Sequence, residues 1–238
     1  MGSFKPGNPT SVQDLFEQIA PRYDQLNDLL SLGLHRLWKR QAIAWLRPRP
    51  GQQLLDLCCG TGDLAIALAA RVRPGGSVLG LDAAAGPLAV AARRAALQPW
   101  LPLHWQQGDA MATGLASGSW DGAVIAYGLR NLADPAAGLR ELKRLLRPAA
   151  RAAVLDFNRP VGPASLAAAE FQRLYLRRVV VPIANQFGIE EHYAYLEESL
   201  ARFATGEQQR RLALEAGFSA ARHRSLAGGV MGLLELVT

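Results

Sequence analysis

The sequence predicts a Rossmann-like α/β fold, an open and mainly parallel sheet with helices on both faces. Three observations predict it. Short apolar strands alternate with helical stretches through the middle of the chain, the first strand runs into a Gly-x-Gly turn, and three successive strands end in an acid. At 238 residues the chain suits one well-buried domain.

The elements follow in order. Residues 11–47 read as helical, with apolar positions at Val12, Leu15, Phe16 and Ile19 and again at Leu37, Ala42 and Leu46. RPRPG (47–51) breaks that helix. Strand one is QQLLDL (52–57), followed by the glycine turn and the helical stretch DLAIALAARV. SVLGLD (77–82), LHWQQGD (103–109), DGAVIAY (121–127) and RAAVLDF (151–157) are strands two to five, and helix DPAAGLRELKRLL lies between the last two. Residues 158–205 break the alternation with clustered aromatics (Phe171, Tyr175, Phe187, Tyr193, Tyr195) and Pro182, and read as an inserted cap. A helix over 207–216 and two strands across Gly228-Gly229 complete a seven-stranded sheet. One domain results: a helical lid (1–50), a binding core (51–157), the cap (158–205) and a closing helix with a strand pair (206–238).

Composition removes several classes. Half the residues are hydrophobic and 19% are charged, so the chain is globular. No apolar run approaches the roughly 18 residues of a membrane span, and the N-terminus has no secretory h-region. Cys58 and Cys59 are adjacent, which fits a reducing cytoplasm, and they read as packed small residues. His35, His104, His192 and His223 keep no ligand spacing, so no metal is expected. The net charge of +6 is spread without a basic, aromatic-interleaved stripe, which argues against nucleic acid and mildly for an anionic surface.

The binding motif is LLDLCCGTGD (54–63). Gly60 and Gly62 allow a sharp turn and close approach of backbone to a ligand, at the strand ends where open α/β sheets bind. Residues 60–65 also satisfy GxGxxA, the dinucleotide fingerprint, so an NAD- or flavin-dependent oxidoreductase is the rival. The acids decide between them. Asp82 suits ribose hydroxyls, Asp109 an adenine amino group, and Asp56 the ammonium of a methionine moiety. A carboxylate at Asp56 would oppose a pyrophosphate at the helix N-terminus. Three acids at successive strand ends therefore predict S-adenosylmethionine.

Three stretches then resemble a known family, the UbiE/MenG-type C-methyltransferases of ubiquinone and menaquinone biosynthesis. They are FEQIAPRYD (16–24) running on to Asn27-Asp28 and HRLWK (35–39), LDLCCGTGD (55–63), and YGLRNL (127–132) with Asp134. Thr113-Gly114-Leu115 and Pro148-Ala149-Ala150 depart from the family pattern at two loops. Residues 203–206, 216–218 and 226–232 are similar to the cyanobacterial and plant branch that acts on phylloquinone or menaquinone precursors. The resemblance implies a class I methyltransferase fold and C-methylation of a 2-phytyl- or polyprenyl-1,4-naphthoquinol, with the benzoquinol of ubiquinone biosynthesis as runner-up. It places the cofactor on Thr61, Asp82, Asp109 and Ala110, with backbone from Ala126; Ala83 and Tyr127 adjoin these positions.

A quinone ring is electrophilic, so the methyl acceptor must be the reduced quinol. Arg130, just past strand four, is expected to clamp the ionising oxygen and Asn131 to orient it. On that reading alanine at Arg130 abolishes turnover and spares cofactor affinity. Tyr23 and His35 are expected to cover the sulfonium and take a proton. The segment Phe171–Phe187, with Arg173, Arg177 and Arg178 beside an apolar run, suits an acceptor drawn from a bilayer. The expected partners are thus a prenylated quinol and, peripherally, a membrane surface; a homodimer is compatible.

Overall fold

A computed structural model describes residues 17, 31, 33–159, 161–163, 166–168, 170, 174, 178, 199–200 and 202–238. Tyr23, the aromatics at 171, 175, 187, 193 and 195, and most of the expected cap lie outside the described residues, as do most positions of 11–30.

Seven strands form one sheet in the order β3-β2-β1-β4-β5-β7-β6. They are β1 (Gln53–Leu57), β2 (Ser77–Asp82), β3 (Leu103–Gln107), β4 (Trp120–Ala126), β5 (Leu146–Phe157), β6 (Ala220–Leu226) and β7 (Met231–Val237). The first five are mutually parallel, and β7 runs antiparallel between β5 and β6. The chain works outward from β1 to β3 and then returns to lay β4 beside β1. That reversal opens a crevice beyond the strand ends.

The helices are α1 (His35–Leu46), α2 (Asp63–Val72), α3 (Ala85–Ala96), α4 (Pro135–Leu145) and α5 (Gly206–Glu215). β1 presents Leu55 and Leu57 to a core shared with Leu139, Leu142 and Leu145 of α4 and Ala213 of α5. Its other face presents Leu54 to Ala42, Ile43 and Leu46 of α1 and to Leu64, Ala65 and Leu68 of α2. Both faces are apolar because both are covered. Helix starts carry their expected signals. Asp134 accepts from the N–H groups of Ala136 and Ala137 ahead of Pro135, and Thr205 with Gln208 forms a capping box.

Strand five differs from the sequence expectation. It begins at Leu146, so Pro148-Ala149-Ala150 lies within it instead of before it. Leu146 pairs with Trp120, the register then shifts, and Arg151 pairs with Gly122. Ala149 takes φ 59°, so the extra residues leave as a bulge and pairing resumes. No described helix is long and apolar enough to cross a membrane, and the described residues hold no cluster of three metal-ligating side chains.

Candidate active site

The crevice is built from the four loops that follow β1, β2, β3 and β4. After β1 the backbone turns through Cys58 (φ 56°), Gly60 (φ 55°) and Gly62 (φ 82°) into α2. Gly62 is required twice over. Its φ lies in the left-handed region, and a Cβ there would stand 2.6 Å from the Trp105 ring and 3.0 Å from Ala91. The loop is strapped to the end of β2 by Asp82, whose two oxygens accept from Gly60 N (2.8 Å) and Ala84 N (3.0 Å). Burial lifts the Asp82 carboxyl above its usual range, against the pull of those N–H groups. After β4 the chain turns at Tyr127 (φ 62°), and Gly128 lies so close to Cys58 that a Cβ would overlap it.

These loops enclose a cavity of about 500 Å³, within the range of small-molecule sites. Of the residues expected to bind a cofactor, Gly60, Asp82, Ala83, Asp109, Ala110, Ala126 and Tyr127 line it, and so does Asn131. Asn131 Nδ2 donates to the Tyr127 carbonyl (3.0 Å), holding the turn. Asp109 is exposed, and one oxygen accepts from Met111 N (2.8 Å).

Four expectations are corrected. Asp56 does not reach the cavity. It is 1% exposed, its Oδ2 accepts from Ala65 N (2.9 Å), and burial pushes its pKa up to about 7 over the opposing charge of Lys39. Alternation along β1 turns Asp56 to the face of Leu54, under α2. Thr61 and Gly62 are not among the residues lining the cavity either; the carbonyl and hydroxyl oxygens of Thr61 accept from Arg94 (3.1 and 3.2 Å). His35 faces a separate recess beside Lys39 and Asp63 and is bonded to Ser31 Oγ (2.8 Å), so it is not poised over the crevice.

Arg130 is the fourth. Its side chain is 8% exposed and its Nη1 donates to Asp156 Oδ1 (2.6 Å) and to the Tyr127 carbonyl (2.8 Å). Asp156 also accepts from the N–H groups of Arg130 (3.1 Å) and Phe157 (2.8 Å). Arg130 thus ties the β4 turn to the end of β5. It does not line the first cavity; it borders a second one of about 480 Å³ that also contains Arg159, Arg202 and Phe203. The two cavities share Leu132 and Ala133 in their walls.

Sequence reasoning missed several contributors. Cys58 lines the cavity, and burial, then Asp82 and Asp56, push its thiol well above the usual range. Lys39 and Arg94 both pair with Asp63 (3.1 and 2.6 Å), bracing α1 and α3 against the start of α2. Glu17 accepts from Gly86 N (2.7 Å) at the start of α3. Only the acid at strand five gave a readable signal, as a charge inside the apolar run RAAVLDF.

The residues fit S-adenosylmethionine. Carboxylates stand at the ends of β2 and β3, Ala83, Pro87, Ala110 and Met111 give apolar walls, and among the described residues no basic side chain lines the cavity.

Comparison with known proteins agrees. The chain is 48% identical over 227 residues to the 2-phytyl-1,4-naphtoquinone methyltransferase of Synechococcus elongatus, covering 95% of this chain and 96% of that one. The chloroplastic 2-phytyl-1,4-beta-naphthoquinone methyltransferase of Arabidopsis thaliana is 42% identical, with 92% and 84% covered. In fold, a SAM-dependent methyltransferase of Thermotoga maritima superposes with a TM-score of 0.64 at 16% identity, covering 95% of this chain and 99% of that one. Residues 5–235 match the ubiE/COQ5 methyltransferase family, and the chain belongs to it.

Proposed function

We propose that this methyltransferase places a methyl group from S-adenosylmethionine on a ring carbon of a reduced, prenylated 1,4-naphthoquinone of the 2-phytyl type. The observation that carries the reading is the pair of adjoining cavities, one with Asp82 and Asp109 in its wall and the other with Arg130, Asp134, Arg159, Arg202 and Phe203, which share Leu132 and Ala133. A cofactor and a separate acceptor need such a pair. The acceptor named for the relatives supplies its identity.

When bound, the cofactor supplies an electrophilic methyl group on a positively charged sulfur. Asp82 would accept from its ribose hydroxyls and Asp109 from its adenine amino group. The remaining side chains shape the meeting of donor and acceptor. Arg130 and Asp156 fix the turn that carries Tyr127 and Asn131, so that the wall between the cavities keeps its place. Cys58 is the strongest nucleophile in the cavity wall. Its raised pKa keeps it a neutral thiol, so it does not compete for the methyl group. The acceptor must be the quinol, because only the electron-rich ring attacks through carbon, releasing its ring proton as aromaticity returns.

The test is transfer of labelled methyl to reduced demethylphylloquinone, demethylmenaquinone and a polyprenyl benzoquinol side by side. Product from the naphthoquinols is expected; product from the benzoquinol alone overturns the reading.

A further inference from the structure

From the charges around the second cavity we infer that Arg159 and Arg202 are catalytic residues that hold one ring oxygen of the acceptor in its ionised form. The inference deepens the proposed function and rests on it for the identity of the acceptor, a quinol.

Three observations carry it. First, the charges in the cavity wall do not cancel. Arg130, Arg159, Arg202 and Arg211 line it, and Asp134 is the sole carboxylate among the described lining residues. Arg130 is neutralised by Asp156 (2.6 Å). Asp134 is already engaged: its Oδ1 accepts from the N–H groups of Ala136 and Ala137 (2.9 and 3.1 Å), and its Oδ2 lies 3.4 Å from Arg140. Arg211 lies 3.9 Å from Glu215. Arg159 and Arg202 pair with no carboxylate among the described residues.

Second, both arginines project from fixed backbone. Arg159 follows Asn158, which is 8% exposed; the Asn158 N–H donates to the Val230 carbonyl (2.9 Å) and its Nδ2 to the Gly229 carbonyl (3.1 Å). Arg202 precedes Phe203, which is buried in the core shared with α4 and α5 and whose N–H donates to the Ser199 carbonyl (3.1 Å). The two guanidinium side chains are exposed. A flat ring lying over them would exclude water and strengthen each contact. Third, the cavity shares Leu132 and Ala133 with the acid-lined one, so a ring anchored by its oxygen here adjoins the methyl donor.

The chemistry asks for such a pair. The quinol hydroxyl gives its proton to solvent, and an electron pair from the oxygen moves into the ring. The adjacent ring carbon bonds to the methyl group while the methyl–sulfur bond breaks onto sulfur. That carbon then loses its hydrogen as a proton, which restores the aromatic ring and the charge on oxygen. A cation beside the oxygen lowers its pKa by roughly 1–3. The ionised fraction near neutral pH rises by the whole of that change, whereas nucleophilicity falls by only a part of it, so the rate gains. Arginine stays protonated and takes no proton itself.

The experiment titrates the full chain with two quinones whose ring carbons are both substituted, so that neither can be methylated. One is 2-hydroxy-3-prenyl-1,4-naphthoquinone, ionised near neutral pH; the other is the neutral 2-methyl-3-prenyl-1,4-naphthoquinone. The parent should bind the anion more tightly. Arg159→Gln/Arg202→Gln should lose roughly tenfold in affinity for the anion and keep its affinity for the neutral ring. Both side chains are exposed, so thermal melting should match the parent. In methyl transfer to reduced demethylphylloquinone the double variant should be roughly tenfold slower near neutral pH and approach the parent as pH rises; damage to the fold would slow it at every pH. Equal binding of the two quinones by the parent, or an anion preference that survives both substitutions, overturns the inference and leaves the proposed function standing. A parent that prefers the anion yet methylates no naphthoquinol overturns the proposed function, while the arginine site for an ionised ring remains.

Discussion

Removing the Arg130–Asp156 pair separates an anchor from a substrate clamp. Both side chains are almost fully buried, at 8% and 2% exposure, so truncating either one removes the counter-charge that Asp156 and Arg130 give each other in a low-dielectric site. Breaking such a pair costs roughly 3–5 kcal/mol. In Asp156→Asn the guanidinium loses its counter-charge. In Arg130→Met the carboxylate keeps two backbone donors, at positions 130 and 157, so this variant falls at the low end. For a chain of this size the drop in Tm is about 10 °C. The double variant removes both members of the pair at once and should cost less than the sum of the singles, a coupling of about 2 kcal/mol. Because the pair holds the turn that presents Tyr127 and Asn131, each single variant should also weaken S-adenosylmethionine binding. Thermal melts and calorimetric titration of the three variants measure both effects. An Arg130→Met protein with parent-like stability and cofactor affinity but no turnover would refute the anchor and restore the clamp.

Two further outcomes follow from the site. Gly62→Ala meets both a left-handed φ of 82° and the Trp105 ring, and should lose roughly 2–5 kcal/mol together with cofactor binding; Gly114→Ala, with φ 71° and open space around it, should lose only the backbone part, and equal melts for the two would contradict this. Asp56 has a folded pKa of about 7, above its unfolded value, so the native state holds the extra proton and the contribution to stability is present at acid pH and lost as pH rises through 7. Asp56→Asn should flatten the dependence of Tm on pH between 5 and 8 and gain on the parent at the alkaline end; parallel curves would count against the buried-acid assignment.

The fold was legible because alternation of short apolar strands with helical runs is a local pattern, and SVLGLD occupies its strand as the sequence predicts. The start of β5 was not, since the bulge at Ala149 depends on Leu146 pairing with Trp120, a partner 26 positions away in sequence. In the site, Asp82 and Asp109 were legible as strand-end acids. Asp56 belongs to the same pattern but to the wrong face: Leu54 and Asp56 share one side of β1, and α2 covers that side. Period-two bookkeeping along LLDL would have found this. Arg130 misled for a different reason. Its partner, Asp156, ends the neighbouring strand, and an arginine following one strand beside an acid ending the next forms a pair only once the strand order is known.

Those corrections sharpen the electrostatics of the crevice. Asp156 is neutralised by Arg130, and Asp56 is buried with a pKa near neutrality, so neither supplies the field that a bound cofactor meets. Asp82 and Asp109 do, at the β2 and β3 side of the cavity. S-adenosylmethionine carries one more positive charge than the thioether left after transfer. An acid-lined wall therefore holds the substrate form more tightly than the product form, and the same two carboxylates that recruit the donor ease its departure. The basic groups of Arg159 and Arg202 lie across Leu132 and Ala133 in the second cavity, where an ionising quinol would gain from them. On the proposed function the donor side is anionic and the acceptor side carries Arg159 and Arg202 beside Asp134, and the acceptor's ring carbon must come into direct contact with the methyl group where the two cavities meet at Leu132 and Ala133.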